Sequence, residues 1–207
     1  MEQLKTKLKP IRCLIFDIGN VLIYFDHGLM ISQVAKALGR PREEVEKWLI
    51  EEENLMKIEV GKIDFDDLFS ELASHSNIDM TSLKHAFCDI FKANWSLLEK
   101  IEGYRNRGFK LMLLSNTNKP HFDFLQEKFS ISNLFDEQIL SYQVQAMKPD
   151  RKIFETAIEK SGFDAAECFY TDDIANYGEA AQLLGIRAVK FSNTSQFIND
   201  LELILQA

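Results

Sequence analysis

From Trp95 onward, short apolar runs alternate with stretches of helical periodicity, and no other feature limits the possible fold as much. A helix expected over 96–107 stops at Gly108, and Phe109–Leu114 follows as a buried strand. Further helices are expected at 119–129, 151–161, 177–184 and 195–205, with strands at 137–141, 168–170 and 188–191. Parallel strands need crossover connections and bury both faces, so apolar runs separated by helices imply a parallel sheet covered on both sides. Residues 11–16 add one more strand of the same kind, well ahead of the others.

Between 28 and 95 the periodicity is helical, with no strand expected. One helix runs over 28–38 and ends at Gly39, and Pro41 opens a second that continues to Glu59. Asp64 can cap a third, with Phe65, Leu68, Phe69 and Leu72 on one face. Asp79 or Thr81 can cap a fourth, over 82–92. The expected architecture is α/β, a Rossmann-like parallel sheet core with helices on both faces and a small all-helical cap inserted after the first strand. Residues 1–24 begin the core, 25–95 form the cap, and 96–207 complete the core.

Composition narrows the class of partner. A net charge of −8 with no basic stripe argues against a nucleic-acid surface. No apolar run approaches the ~18 residues needed to span a bilayer. The start, MEQLKTKLKP, lacks the apolar segment of a secretory signal, so a frayed leader and a cytoplasmic protein are expected, as monomer or homodimer. Cys13, Cys88 and Cys168 are scattered and form no C-x-x-C, which suits buried, reduced thiols. His27, His75, His85 and His121 show no zinc-ligand spacing.

In a sheet of this kind ligands bind beyond the carboxyl ends of the strands. There the chain places Asp17, Gly19 and Asn20 after the first strand and Ser115, Asn116, Thr117 and Asn118 after the second. Lys148 follows the third, and the pair Asp172 and Asp173 follows the fourth. A carboxylate, a hydroxyl, an ammonium and a carboxylate pair on one rim fit phosphoryl transfer. An aspartate attacks phosphorus, a divalent cation offsets the repulsion between anions, and the lysine and hydroxyl hold the phosphoryl oxygens.

FDIGNVL, LLSNTN, MKPD and FYTDD, in this order, resemble the four motifs of the haloacid dehalogenase superfamily, and IEVGKIDFDDLF resembles its helical cap. The S-N-T-N form and the paired acids look closest to the N-terminal phosphatase domain of soluble epoxide hydrolase and to bacterial glucose 1-phosphate phosphatases. The resemblance implies a Mg²⁺-dependent phosphatase of a small phosphorylated metabolite, a sugar phosphate first among them. It implies Asp17 as nucleophile, Ser115 and Asn116 as phosphate-binding residues, and Lys148 as orienting both. It implies Asp17, the Gly19 carbonyl, Asp172 and Asp173 around the metal. A binding or regulatory descendant with attenuated turnover, or a 2-haloacid dehalogenase, are the alternative expectations.

Gly19 departs from the family pattern, which places an acid there. The carbonyl for the metal survives; the carboxyl that protonates the leaving group does not. General acid–base catalysis is worth roughly 10²–10⁴-fold. The expectation is therefore a bias toward anomeric or acyl phosphates, or a substitute acid, for which Asp26 and His121 are the candidates. Tyr177 is a second departure, at a position where the family often has Asn or Asp.

Overall fold

A computed structural model describes residues 9–74, 76 and 78–206; His75 and the leader through residue 8 lie outside the described residues. Five parallel strands form the sheet: β1 (Cys13–Phe16), β4 (Lys110–Ser115), β5 (Glu137–Leu140), β6 (Cys168–Asp172) and β7 (Arg187–Lys190), in the order β5-β4-β1-β6-β7. β1 is central and buried throughout. Its side chains alternate between two apolar layers, as the period of two requires. Leu14 and Phe16 join Leu111, Leu113 and Phe169 under α6 (Trp95–Asn106) and α11 (Thr194–Leu205). Cys13 and Ile15 join Met112, Cys168 and Tyr170 under α9 (Arg151–Ser161) and α10 (Ala175–Leu183). All three cysteines are buried and free.

The segment after β1 builds a core of its own. α1 (His27–Leu38), α2 (Arg42–Glu46), α3 (Asn54–Glu59), α4 (Phe65–Ser74) and α5 (Met80–Cys88) enclose Met30, Val34, Leu49, Ile58, Phe69 and Phe87. Phe65 stacks on Phe69 at 4.3 Å and tilts against Phe87 at 5.0 Å. Asp26 caps α1 by accepting the Leu29 N–H, and Asp79 caps α5 by accepting the Ser82 N–H. Gly39 closes α1 at φ 66°, a left-handed conformation that suits glycine.

Two expectations are corrected here. The helix expected over 41–59 is broken: Lys47–Glu51 widens into a π turn and Glu53 turns left-handed at φ 59° before α3 begins. The Asn54 amide donates to the Trp48 carbonyl at 2.8 Å, satisfying a group the break would leave open. The cap region is also not all helical. β2 (Ile23–Phe25) and β3 (Phe91–Ala93) pair antiparallel where the chain leaves and re-enters the core, straddling the expected boundary at 24/25. The two passes satisfy each other's backbone groups, and Asn94 extends the pairing from its N–H to Leu22 O (2.9 Å) and from its amide to Val21 O (2.8 Å). No helix among the described residues is long and apolar enough to cross a membrane.

Candidate active site

Phe16 stands opposite Leu113 of β4 and Thr171 of β6, so the residues that end these three strands come together. The Asp17 N–H carries the ladder one step further, onto Thr171 O at 3.0 Å. Lys148 arrives from the loop before α9. Its ammonium donates to Asp17 Oδ1 (2.8 Å), Asp172 Oδ2 (2.6 Å) and the Leu114 carbonyl (3.2 Å), which uses all three N–H groups. The lysine and Asp172 side chains are 1% exposed and Asp17 is 8% exposed. Burial works against the charged amine, but Asp17 and Asp172 outweigh it and hold its pKa above the usual lysine value. Burial pushes the Asp17 carboxyl up to about 7, with Lys148 pulling it down and Asp172 pushing it up.

Asp172 is fixed on both oxygens. Oδ1 accepts the Ile174 N–H at 2.8 Å, and Oδ2 accepts the Tyr170 hydroxyl as well as Lys148. Asp173, partly buried, accepts from the Asn20 amide at 3.1 Å. One oxygen from each of Asp17, Asp172 and Asp173 lies within 4.8 Å of the others. Three carboxylate oxygens at this spacing are a hard donor set that fits Mg²⁺. Ser115 is buried, and among the described residues its hydroxyl makes only a long contact, 3.3 Å, to the Asn116 carbonyl.

Other expected residues take different parts. The Asn116 side chain grips the Lys148 backbone instead of facing outward: Nδ2 donates to Lys148 O (3.1 Å) and Oδ1 accepts Lys148 N–H (2.8 Å). Asp26 is exposed and caps α1. His121 is buried, with both ring nitrogens engaged: Nδ1 accepts from the Asn118 amide (3.1 Å) and Nε2–H donates to Phe87 O (3.2 Å). Burial pushes its pKa down to about 3, so the ring stays neutral and has no proton to lend. Tyr177 lies 5.1 Å from the Lys148 ammonium, across its ring, and its hydroxyl is 3.5 Å from the Asn116 amide. It thus borders the Lys148 ammonium and the Asn116 side chain.

Gly19 sits against the Phe25 ring: a Cβ at position 19 would stand 2.9 Å from Phe25 Cε1. The ring in turn tilts against His27 at 4.8 Å and packs on the cap core.

Tyr170 and Ser141 lie outside the motif positions. Tyr170 has a sequence signal, since two residues before Asp172 on a strand means the same face. Ser141 has none, because its part depends on how the cap meets the core. Its buried hydroxyl accepts the Thr117 N–H at 2.9 Å and donates to the Glu59 carbonyl at 2.5 Å. Beside it Gly61, at φ 70°, passes so close to Tyr142 that a Cβ would run into the Tyr142 carbonyl. The cap loop 59–61 is therefore docked at the end of β5, next to the loop after β4.

Burial alone pushes the Glu59 carboxyl up to about 7. A carboxyl with a raised folded-state pKa favours folding below its unfolded value and loses that contribution as pH rises through the folded one. Glu59→Gln is thus expected to raise stability at pH 8 by on the order of 2 kcal/mol, seen as a higher Tm, and to change it little at pH 4. Thermal melts at the two pH values check this.

A groove of about 1130 Å³ runs between α4, α5 and α7 (Lys119–Phe129), but none of the rim carboxylates lines it. Its lysines are paired: Lys84 with Asp66, Lys119 with Asp123 and Lys128 with Asp89. The groove and the carboxylate rim are thus separate features of the surface.

One family profile, described as a haloacid dehalogenase-like hydrolase, matches residues 11–185. A phosphatase of Mycobacterium tuberculosis is 26% identical over 201 residues, covering 90% of this chain and 89% of its own. D-ribitol-5-phosphate phosphatase of Bacteroides thetaiotaomicron is 24% identical over 209 residues, covering 95% and 100%. A Bacteroides thetaiotaomicron enzyme of the same superfamily, crystallised with magnesium and inorganic phosphate, superposes with a TM-score of 0.75 at 23% identity, over 90% of this chain and 98% of that one.

Proposed function

The chain belongs to the haloacid dehalogenase-like hydrolases, and on that premise we propose that it hydrolyses the phosphate monoester of a small metabolite, a sugar or sugar-alcohol phosphate, through an aspartyl phosphate on Asp17. The observation that carries this reading is the Lys148 ammonium held between Asp17 and Asp172, with Asp173 alongside. In this reading Asp17, held at the end of β1 by its N–H on Thr171 O, is the nucleophile that attacks phosphorus. Lys148 fixes the Asp17 carboxylate and supplies a fixed positive charge beside it, and Asn116 holds Lys148 in place by gripping its backbone. Ser115 donates its hydroxyl to a phosphoryl oxygen. Asp17, Asp172, Asp173 and the Gly19 carbonyl would hold Mg²⁺, which when bound supplies positive charge against the anion–anion repulsion. Relatives named as phosphatases, one of them for a pentitol phosphate, support the substrate class.

The test is phosphate release by the purified protein with Mg²⁺ from glucose 1-phosphate, glucose 6-phosphate, ribitol 5-phosphate, acetyl phosphate and 4-nitrophenyl phosphate. Release that needs Mg²⁺ from at least one sugar or polyol phosphate is expected; none from any substrate removes the proposal. Tyr170→Phe takes one donor from Asp172 and is expected to weaken Mg²⁺ binding about 10-fold, an effect typical of lost outer partners. Titration of Mg²⁺ against Tm measures it without turnover.

A further inference from the structure

β2 places Ile23 and Phe25 on one face and Tyr24 on the other, as strand alternation requires. Ile23 is fully buried and Tyr24 is exposed. Phe25 falls between them: it packs against the cap core yet stays only half-buried. Its position is fixed by three neighbours. The backbone pairs with Phe91 of β3, the ring tilts against His27 at 4.8 Å, and the ring edge meets Gly19.

Gly19 also locates that ring against the nucleophile. A Cβ at position 19 would stand 2.9 Å from Phe25 Cε1 and 3.8 Å from Asp17 Oδ2, so the ring edge and the carboxylate oxygen border one small space. Lys148 holds the other oxygen, Oδ1, at 2.8 Å, which leaves Oδ2 for attack. Phosphorus must come within about 3–3.5 Å of the attacking oxygen. Resting on the phosphatase reading above, we propose that Phe25 determines specificity: its ring is the surface on which the organic group of the substrate rests, and it favours phosphates of ring-shaped sugars over those of open-chain polyols.

The chemistry of the two classes differs where Phe25 can sense it. A pyranose gathers axial C–H bonds on one flat, apolar face, and their weakly positive hydrogens suit the negative face of an aromatic ring. An open-chain polyol carries hydroxyls on every side, has no such face, and loses more rotational freedom when held. The charged groups of the rim meet the phosphate, which both classes share, so they cannot tell the two apart.

Glucose 6-phosphate and ribitol 5-phosphate test this without a difference in leaving-group chemistry, since both are esters of a primary alcohol. Affinity is read as KM where a phosphate is turned over, and as Ki against one that is. In the parent, glucose 6-phosphate is expected to bind about 10-fold tighter than ribitol 5-phosphate, the scale of one well-placed aromatic contact. Phe25→Leu is expected to bring the two within about 2-fold, and Phe25→Tyr, which keeps the ring, to retain most of the difference. Equal affinities in the parent overturn the role of Phe25 and leave the phosphatase reading intact, and this comparison holds whether or not Phe25→Leu folds. A ratio that survives in Phe25→Leu, or that Phe25→Tyr loses as fully, overturns it as well. A parent that hydrolyses no phosphate of the panel overturns both readings.

Discussion

Asp17→Asn is expected to abolish phosphate release from every substrate, a loss of at least about 10⁴-fold, the scale on which removing a covalent nucleophile acts. The same variant is expected to fold at least as well as the parent. Asp17 is buried, and burial pushes its carboxyl up to about 7, so the ionised acid costs the fold stability at pH 8. An amide removes that cost and can still accept from Lys148. The expected pair of results is no turnover with Tm unchanged or raised above pH 7. Phosphate release and thermal melts measure the two. Residual turnover above about 1% of the parent would mean that Asp17 is not the nucleophile.

Lys148→Ala is expected to fail in the opposite way. It leaves Asp17 and Asp172 buried side by side without their cation, and removing one partner from a buried ion pair costs about 3–5 kcal/mol. The deficit should be largest at pH 8 and shrink toward pH 5, because a proton taken up by Asp17, whose carboxyl burial already pushes up to about 7, relieves the repulsion. Mg²⁺ should restore part of the lost Tm, since a divalent cation among the three carboxylates offsets the same charge. Activity should fall by about 10²–10³-fold through loss of the fixed positive charge. Melts with and without Mg²⁺ at the two pH values separate these effects. A variant as stable as the parent at pH 8 would show that the buried triad is not what the geometry implies.

Much of this was readable from residue order. β1, β4 and β6 are apolar enough to be recognised, and knowing that they are parallel places Asp17, Ser115, Lys148 and Asp172 on one rim without coordinates. What was not readable depended on contacts remote in sequence. β2 and β3 have three residues each, too few for a period to emerge, and they pair across the whole cap. The break after Trp48 lies in a run of good helix formers and is held by one side-chain amide. Asn116 next to Ser115 reads as a phosphate ligand until Lys148, 32 residues on, is seen gripped by it. Glu59 reads as one more acid on an acidic helical surface until Ser141 ties its loop to the core.

Phe25 occupies the ground into which an acid at position 19 would grow. The two positions are therefore epistatic. A side chain at 19 needs the Phe25 ring to give way, so the residue at 25 sets what position 19 can carry. Gly19→Asp alone meets a ring braced by His27 and the cap core before it can offer a proton. A single glycine thus couples the loop that carries the nucleophile to a ring that belongs to the cap.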